Sequence, residues 1–173
     1  MYGTIFEAID MRSFSSLWYW IMLAVVWSLV GHRVLGVPVD MISAARRHGG
    51  QAEQDLEDMV RINVLRRLHF AAQGGIWALA LGCFGMTVLL ILGWGYGLEL
   101  AQAIFLLCFP LGVVVLLSFL TARRIRTDDP QGEALHRHLM RHRFRVQTVG
   151  MGAIFITALW GMNANLTINV LGN

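Results

Sequence analysis

Histidine and arginine are the residues best able to do chemistry in this 173-residue chain, which has six His and fourteen basic residues, all of them Arg. His138 and His142 stand four residues apart, a helical spacing that can bring two imidazoles to one metal ion. Structural zinc takes four ligands, and no Cys or suitable carboxylate completes the set nearby. The pair is therefore only a candidate metal site, and we expect no bound cofactor. The two cysteines, Cys83 and Cys108, sit in apolar stretches and offer no disulfide framework.

The apolar composition determines which elements must position these side chains. The chain is 56% apolar and 14% charged, whereas about a quarter of the residues in a soluble domain are charged. A helix needs about 20 apolar residues to cross the hydrocarbon core of a membrane. Four stretches meet this length and predict an all-α fold, an integral membrane four-helix bundle forming one domain over residues 1–173. The predicted spans cover about 14–32, 70–94, 100–122 and 146–165, with long connections at 33–69 and 123–145.

The distribution of arginine predicts how the bundle is oriented. Thirteen of the fourteen Arg lie in the two long connections, and Arg12 is the exception. By the positive-inside rule these connections are cytoplasmic, so both termini are predicted to be periplasmic, N-out and C-out, across a bacterial inner membrane. Aromatic residues favour the interface between membrane and water, and seven of them fall near the predicted outer one: Tyr2, Trp18, Tyr19, Trp20, Trp94, Tyr96 and Trp160.

Both cytoplasmic connections are predicted to contain amphipathic helices. A short helix over 38–47, with Pro38 in its first turn and a glycine pair after it, has an apolar face suited to the inner interface. A second helix begins at Gln51, contains a possible Glu57–Arg61 pair, and continues into the second span. The sequence Asp128-Asp129-Pro130 predicts the start of another helix, which leads into the fourth span.

The arginines of these connections are predicted to set the topology and to attract anionic phospholipid of the inner leaflet. Docking of an acidic partner protein is the second interpretation. We expect no nucleic-acid binding, because these stretches lack the regular interleaving of aromatic residues that stacks on bases. The predicted lipid or partner docking residues are Arg46, Arg47, Arg66, Arg67, Arg123, Arg124, Arg126, Arg141, Arg143 and Arg145.

Within the spans, small residues recur at four-residue spacing, which predicts close contact between helices. One stripe is formed by Gly74, Ala78 and Gly82, and the other by Ala153, Thr157 and Gly161. Their partner is either another helix of the chain, a second copy or another membrane protein. No Asp, Glu, Lys or Arg lies at mid-depth, which argues against an ion-coupled transporter. The strongest polar groups there are Gln73, Gln102, Gln147, Thr87, Ser118 and Thr157.

Several short sequences occur together in one protein family. They are Asp10-Met11-Arg12-Ser13-Phe14-Ser15 before Leu17-Trp18-Tyr19-Trp20, Gly36-Val37-Pro38, Ala45-Arg46-Arg47 before Gly49-Gly50-Gln51-Ala52-Glu53, Leu56-Glu57-Asp58 before Val60-Arg61-Ile62-Asn63-Val64, and Thr157-Ala158-Leu159-Trp160-Gly161-Met162. In these, and over nearly its whole length, the chain resembles small four-span inner-membrane proteins of Rhodobacter-like alphaproteobacteria. That group is often described as a component of the Suf iron–sulphur assembly complex (SufBCD).

The residues themselves show no iron–sulphur scaffold, since there is no P-loop, no carboxylate cage and no Cys outside the apolar stretches. We therefore expect a non-enzymatic accessory or assembly subunit of an inner-membrane complex. The alternative is an enzyme similar to the four-span membrane glutathione and eicosanoid transferases, whose second helix has an Arg-x-x-x-Asn-x-x-Glu-like signature. Arg61 and Asn63 match its residue types but not its spacing, and no Glu follows. Such an enzyme needs a pocket lined by Arg61, Asn63 and Arg67.

Overall fold

The computed structural model describes residue 14 and residues 17–171, and over these the all-α prediction is confirmed. Tyr2 and Arg12 lie outside the described residues. A two-stranded hairpin and a π-helical turn, Ile91–Gly95, interrupt the helices. The elements in chain order are α1 (Leu17–His32), β1 (Arg33–Val34), β2 (Val37–Pro38), α2 (Val39–His48), α3 (Gln51–Leu90), α4 (Glu99–Asp128) and α5 (Gly132–Leu171).

Two helical segments are long and apolar enough to cross a membrane. They are 51–95, which is α3 with its π-helical turn, and α4. The apolar helix α1 has 16 described residues, fewer than a full crossing usually takes. The four-span arrangement therefore stays a prediction.

The hairpin explains why α2 begins one residue later than predicted. Val37 and Pro38 pair with Val34 and Arg33, so Pro38 is extended and precedes the helix. The turn between the strands, Leu35-Gly36, has positive φ at both positions (53° and 88°), as the commonest two-residue hairpin turn requires. Pairing between the strands thus takes Pro38 out of the first helical turn.

The boundary between α4 and α5 also differs from the prediction. Asp129 adopts a left-handed conformation (φ 41°, ψ 52°), and its N–H donates to the Ile125 carbonyl at 3.0 Å, which closes the end of α4. α5 then begins at Gly132, so Pro130 lies in the connection. The Gly132 N–H donates to the Glu57 carboxylate at 2.9 Å.

The predicted Glu57–Arg61 pair is wrong for the same reason. Glu57 accepts from the start of α5, across 75 residues of chain, and Arg61 pairs instead with Asp58 at 2.9 Å. An exposed pair of this kind contributes little stability. The carboxylate of Glu57 therefore serves to join α3 to α5.

One end of the molecule, which we call the basic end, holds the arginine-rich segments of α3, α4 and α5 around an apolar core. In this core the face of α2 predicted to lie in a lipid interface is covered by protein, with Ile42 and Ala45 buried against their neighbours. The short helix therefore packs onto its own chain. The buried residues of the basic-end core are Val34, Leu35, Val37, Ile42, Ala45, Leu56, Val60, Val64, Ala122, Ile125, Leu135 and Leu139.

Helices α1, α4 and α5 pack along their apolar lengths. Their middle core contains Leu23, Trp27, Leu107, Val114, Val146 and Ala153. A further cluster of Phe14, Tyr19 and Ala103 lies at the opposite end of the molecule, which we call the aromatic end.

At the aromatic end, a chain of hydrogen bonds joins the π-helical turn to α4 and α5. The Gln102 side-chain amide donates to the Gly93 carbonyl at 2.7 Å, and the Trp160 indole donates to the Gln102 Oε1 at 3.0 Å. Trp160 also packs against Trp94, with ring centroids 5.5 Å apart. A Cβ atom on Gly93 would lie 3.2 Å from the backbone nitrogen of Gln102, so a glycine is needed at this approach.

The apolar half of α3 stands apart from this packing. No residue in its most apolar stretch is buried, and Ile76 and Trp77 are 82% and 80% exposed. α3 is anchored at its two ends instead, by Val60 and Val64 in the basic-end core and by the following π-helical turn, whose Gly93 lies against α4. The side chains of its central turns are therefore exposed on the surface of the molecule.

Candidate functional site

Followed from the basic end, α3, α4 and α5 each carry acidic residues, then arginines, then an apolar segment. This shared order places their arginines at one level. Along α3, acidic residues at 53–58 come first, then arginines at 61–67, then the apolar half. α5 repeats this order, and α4, which runs the opposite way, reverses it. Because all three helices meet in the basic-end core, their arginines form one layer between an acidic tip and the apolar segments. We call this layer the arginine belt, comprising Arg61, Arg66, Arg67, Arg123, Arg124, Arg126, Arg137, Arg141, Arg143 and Arg145.

The predicted docking residues are accessible. Nine of the ten are exposed, including Arg46 and Arg47 on α2, and Arg143 is half-buried. Among the residues that the structure describes, the one ion pair is Arg61–Asp58. Within the described part of the chain, the predicted docking arginines therefore form no ion pair with a carboxylate and can attract external anions.

Buried beneath the belt, His142 joins α5 to α4. The Thr121 hydroxyl donates to the Leu117 carbonyl at 2.8 Å, so its oxygen accepts from the Nδ1 of His142 at 3.1 Å. The other ring nitrogen, Nε2, then carries no proton and accepts from the Ser118 hydroxyl at 3.4 Å. The ring is 3% exposed, and these contacts satisfy both of its nitrogens.

The surroundings of His142 favour the neutral imidazole. Burial lowers its pKa to about 4, and the positive charges of Arg67 and Arg145 act in the same direction. Partial burial and the neighbouring Arg66 lower the pKa of Arg67. Helices α3 and α5 thus concentrate positive charge around one buried ring.

The two histidines of the candidate metal pair lie in different surroundings. His138 is half-buried on α5, and both ring nitrogens of His142 face hydroxyl groups of α4. Over residues 14 and 17–171, no group of three or more His, Cys, Asp or Glu is placed to hold a metal ion. His142 acts here as a packing residue between two helices.

The prediction from sequence included Ser118 as a polar group of the third span, but it did not include Thr121 or the contacts of these two residues with His142. The available signal was the three-residue spacing of the two hydroxyls, which puts them on one face near the end of a span. Nothing in the spacing indicates that a histidine more than twenty residues away meets that face.

The two small-residue stripes have opposite environments. Ala153 and Thr157 are buried, and a Cβ atom on Gly161 would lie 3.3 Å from Phe14 and Trp20. In the α3 stripe, Cβ atoms added to Gly74 and Gly82 would meet no atom within 4 Å, and Ala78 is exposed. The α5 stripe is therefore used within the chain, whereas the α3 stripe is open.

A groove of about 190 Å³ opens at the basic end between α3, the end of α4 and the start of α5. Its floor is apolar and its rim carries charges of both signs. Arg61 lines it, but Asn63 and Arg67 do not. Asn63 lies on another face of α3, where its amide donates to the Met59 carbonyl at 3.0 Å and packs beside the hairpin glycine Gly36. The three residues that a transferase-like pocket would need are thus divided between faces.

The function proposed for this chain rests on the geometry of its own residues. No protein-family model, curated protein sequence or solved structure matches the chain.

Proposed function

We propose that the chain is a four-span inner-membrane protein, with both termini in the periplasm, that serves as a non-enzymatic accessory or assembly subunit of a membrane-protein complex. In this proposal the arginine belt lies at the level of the cytoplasmic lipid headgroups and the aromatic end lies at the outer interface. The resemblance described above nominates the Suf iron–sulphur assembly complex as the first partner to test.

The observation that carries the subunit role is the exposed apolar half of α3. Its large side chains, including Ile76, Trp77 and Phe84, are more than two-thirds exposed, which supports a surface covered by lipid or by a partner rather than by water. Lipid can cover those side chains. The glycines of the same helix leave backbone open, and in membranes such positions let another helix approach closely.

The membrane orientation is supported by the single level of the belt. Arginine is costly in hydrocarbon but favourable beside anionic headgroups, so the level of the belt sets how deeply the helices sit. The aromatic end lies at the opposite ends of the same helices, consistent with an interface there.

The topology has a direct test. A reporter fused after Asn173 is expected to be active in the periplasm, and the same reporter inserted beside Gly49 is expected to be active in the cytosol, because the belt keeps the second site inside. Each site is tested with two reporters in turn: alkaline phosphatase, which is active only in the periplasm, is expected to report the site after Asn173, and a fluorescent protein, which fluoresces only in the cytosol, the site beside Gly49. A cytosolic C-terminus would overturn the four-span proposal.

The subunit role is tested by Gly82→Leu on the open stripe. A Cβ atom at this position would meet no atom of the described residues within 4 Å, so the thermal stability of the isolated protein is expected to stay unchanged. Association with a partner is expected to weaken by about 1–3 kcal/mol, the scale of overpacking at a close contact. Native mass spectrometry after mild detergent solubilisation measures how much of the protein remains in the complex. Leu90→Ile, at a half-exposed position near the outer end of α3, is the matched control.

Each result of this experiment has a distinct meaning. Loss of a hetero-complex in Gly82→Leu, but not in Leu90→Ile, supports the proposal. A complex that survives in both variants would show that the stripe is not an interface. A discrete homotrimer that binds glutathione would instead favour the transferase-like alternative.

A further inference from the structure

We infer that the chain contains a specific site for the phosphate of an anionic phospholipid, between the end of α1, the hairpin and α5. The site is built from Arg33, Arg143 and the small cavity between them. It rests on the proposed membrane orientation, which puts this cavity at headgroup level, and it goes further by naming one ligand and the residues that hold it.

The cavity has the size of a single oxygen atom. Its volume is about 10 Å³, close to the minimum that holds one water molecule. Val34 and Val146 supply apolar walls, and Arg33 and Arg143 are the charged residues of the lining. An oxygen of a phosphate fits such a space while the rest of the headgroup stays outside.

Arg143 contributes an unsatisfied donor. Its Nε atom is buried and has no hydrogen-bond partner among the described residues. A buried N–H without an acceptor is costly, and a charged one more so. A phosphate oxygen in the adjoining cavity would accept from it, in a hydrogen bond strengthened by charge.

The charge around the cavity fits an anion. No Asp or Glu lines it, and His142, which does, has Arg67 and Arg145 close enough to disfavour its protonation. Four positive charges thus meet in this region, two from the lining and two from the arginines near His142. Of the acidic residues of the described chain, Asp40 lies in the first turn of α2 and Glu99 in the first turn of α4, and the others lie near the acidic tip.

The surface beside the cavity favours a lipid over free phosphate. Apolar surface of α1 continues away from the basic end, where Leu29 is 66% and Val25 51% exposed. A phospholipid can lay an acyl chain along this surface while its phosphate meets Arg33 and Arg143. Free phosphate gains only the charged contact.

The test compares two double substitutions that remove the same charge. Arg33→Gln with Arg143→Gln alters the site, and Arg46→Gln with Arg47→Gln alters two exposed arginines of α2 outside it. Each protein is placed in phosphatidylcholine nanodiscs, and phosphatidylglycerol retained by the protein is titrated by native mass spectrometry. At about fivefold per arginine, the first pair is expected to weaken phosphatidylglycerol binding by about 25-fold. The second pair removes the same charge outside the site and is expected to weaken binding much less, through diffuse attraction alone.

Arg33→Gln alone provides a second measurement, because Arg33 is exposed and its loss spares the packing of α5. We expect about a fivefold weaker affinity for phosphatidylglycerol from this single change. An unchanged affinity in this variant would overturn the inference.

Three further outcomes would refute the specific site, the lipid assignment or the proposed membrane function. Equal losses in both double variants would show that the belt attracts lipid only through diffuse charge, and would refute a specific site. Displacement of phosphatidylglycerol by inorganic phosphate at equal concentration would show that the acyl chain contributes nothing, and would refute the lipid assignment. Failure of the parent protein to enter nanodiscs would refute the proposed membrane function itself, a result distinct from the loss of lipid preference.

Discussion

Gly150→Leu is expected to separate α1 from α5 and to lower the free energy of unfolding by about 3 kcal/mol, at the upper end of overpacking effects. A Cβ atom at this position would lie 2.8 Å from Cε3 and 3.1 Å from Cζ3 of Trp27. Trp27 is 8% exposed and packs in the middle core beside Leu107 and Val114. A rigid indole enclosed on all sides cannot turn away cheaply, so the helices must move apart.

Gly152→Leu is the matched control for this prediction. Gly152 lies two residues further along α5, and a Cβ atom there would meet nothing within 4 Å. Leucine also favours helix more than glycine does, so the stability of this variant should equal or exceed that of the parent. Thermal unfolding in detergent compares the two. Equal stability of the two variants would mean that α1 and α5 do not pack as described.

Lowering the pH from 7 to 5 is expected to destabilise the protein by about 2 kcal/mol through His142. The folded protein holds the pKa of this ring at about 4, below its ordinary value of 6.5, mainly because the ring is buried. Unfolding therefore takes up a proton throughout the window between these values. The contribution of His142 is fully present above pH 6.5 and is lost as the pH falls towards 4.

His142→Gln isolates this effect, since glutamine stays polar but does not titrate. The variant is expected to be less stable at pH 7, because the contacts to Ser118 and Thr121 are altered, and to lose the His142 share of the pH dependence. His138→Gln, on the same helix, leaves His142 in place and should retain the His142 share of the pH dependence. Unfolding curves at pH 7 and pH 5 for the three proteins measure the stability at pH 7 and its change with pH. A parent slope that persists in His142→Gln would assign the dependence to other groups.

The two small-residue stripes show where prediction from periodicity stops. Spacing placed Gly74, Ala78 and Gly82 on one face of a helix, and it did the same for the stripe on α5. Both stripes were candidates for contact within the chain or with a partner. Only the packed structure shows that one is covered by Phe14 and Trp20 and that the other is open, because spacing defines a face and does not say which element approaches it.

Element boundaries were predicted where local sequence sets them and were missed where a distant contact does. The glycine pair at 49–50 and the composition were enough to predict a break near residue 49 and helices on either side of it. The start of α5 was missed, because Asp129 adopts a left-handed conformation and Glu57, distant in sequence, accepts from Gly132. Local preference favoured a helix from Pro130, and a contact across 75 residues accompanies the later start.

The sequence by itself determined the helical class and the order of charge along each helix, from acidic tip through arginine to apolar segment. These follow from composition and local periodicity, which act within a few turns of backbone. The tertiary structure alone decided that the arginines meet at one level, that His142 reaches Ser118 and Thr121, and that Arg143 is left with a buried donor beside a small cavity. Each of these depends on how helices distant in sequence align, and that alignment is set by the packing of the basic-end and middle cores as a whole.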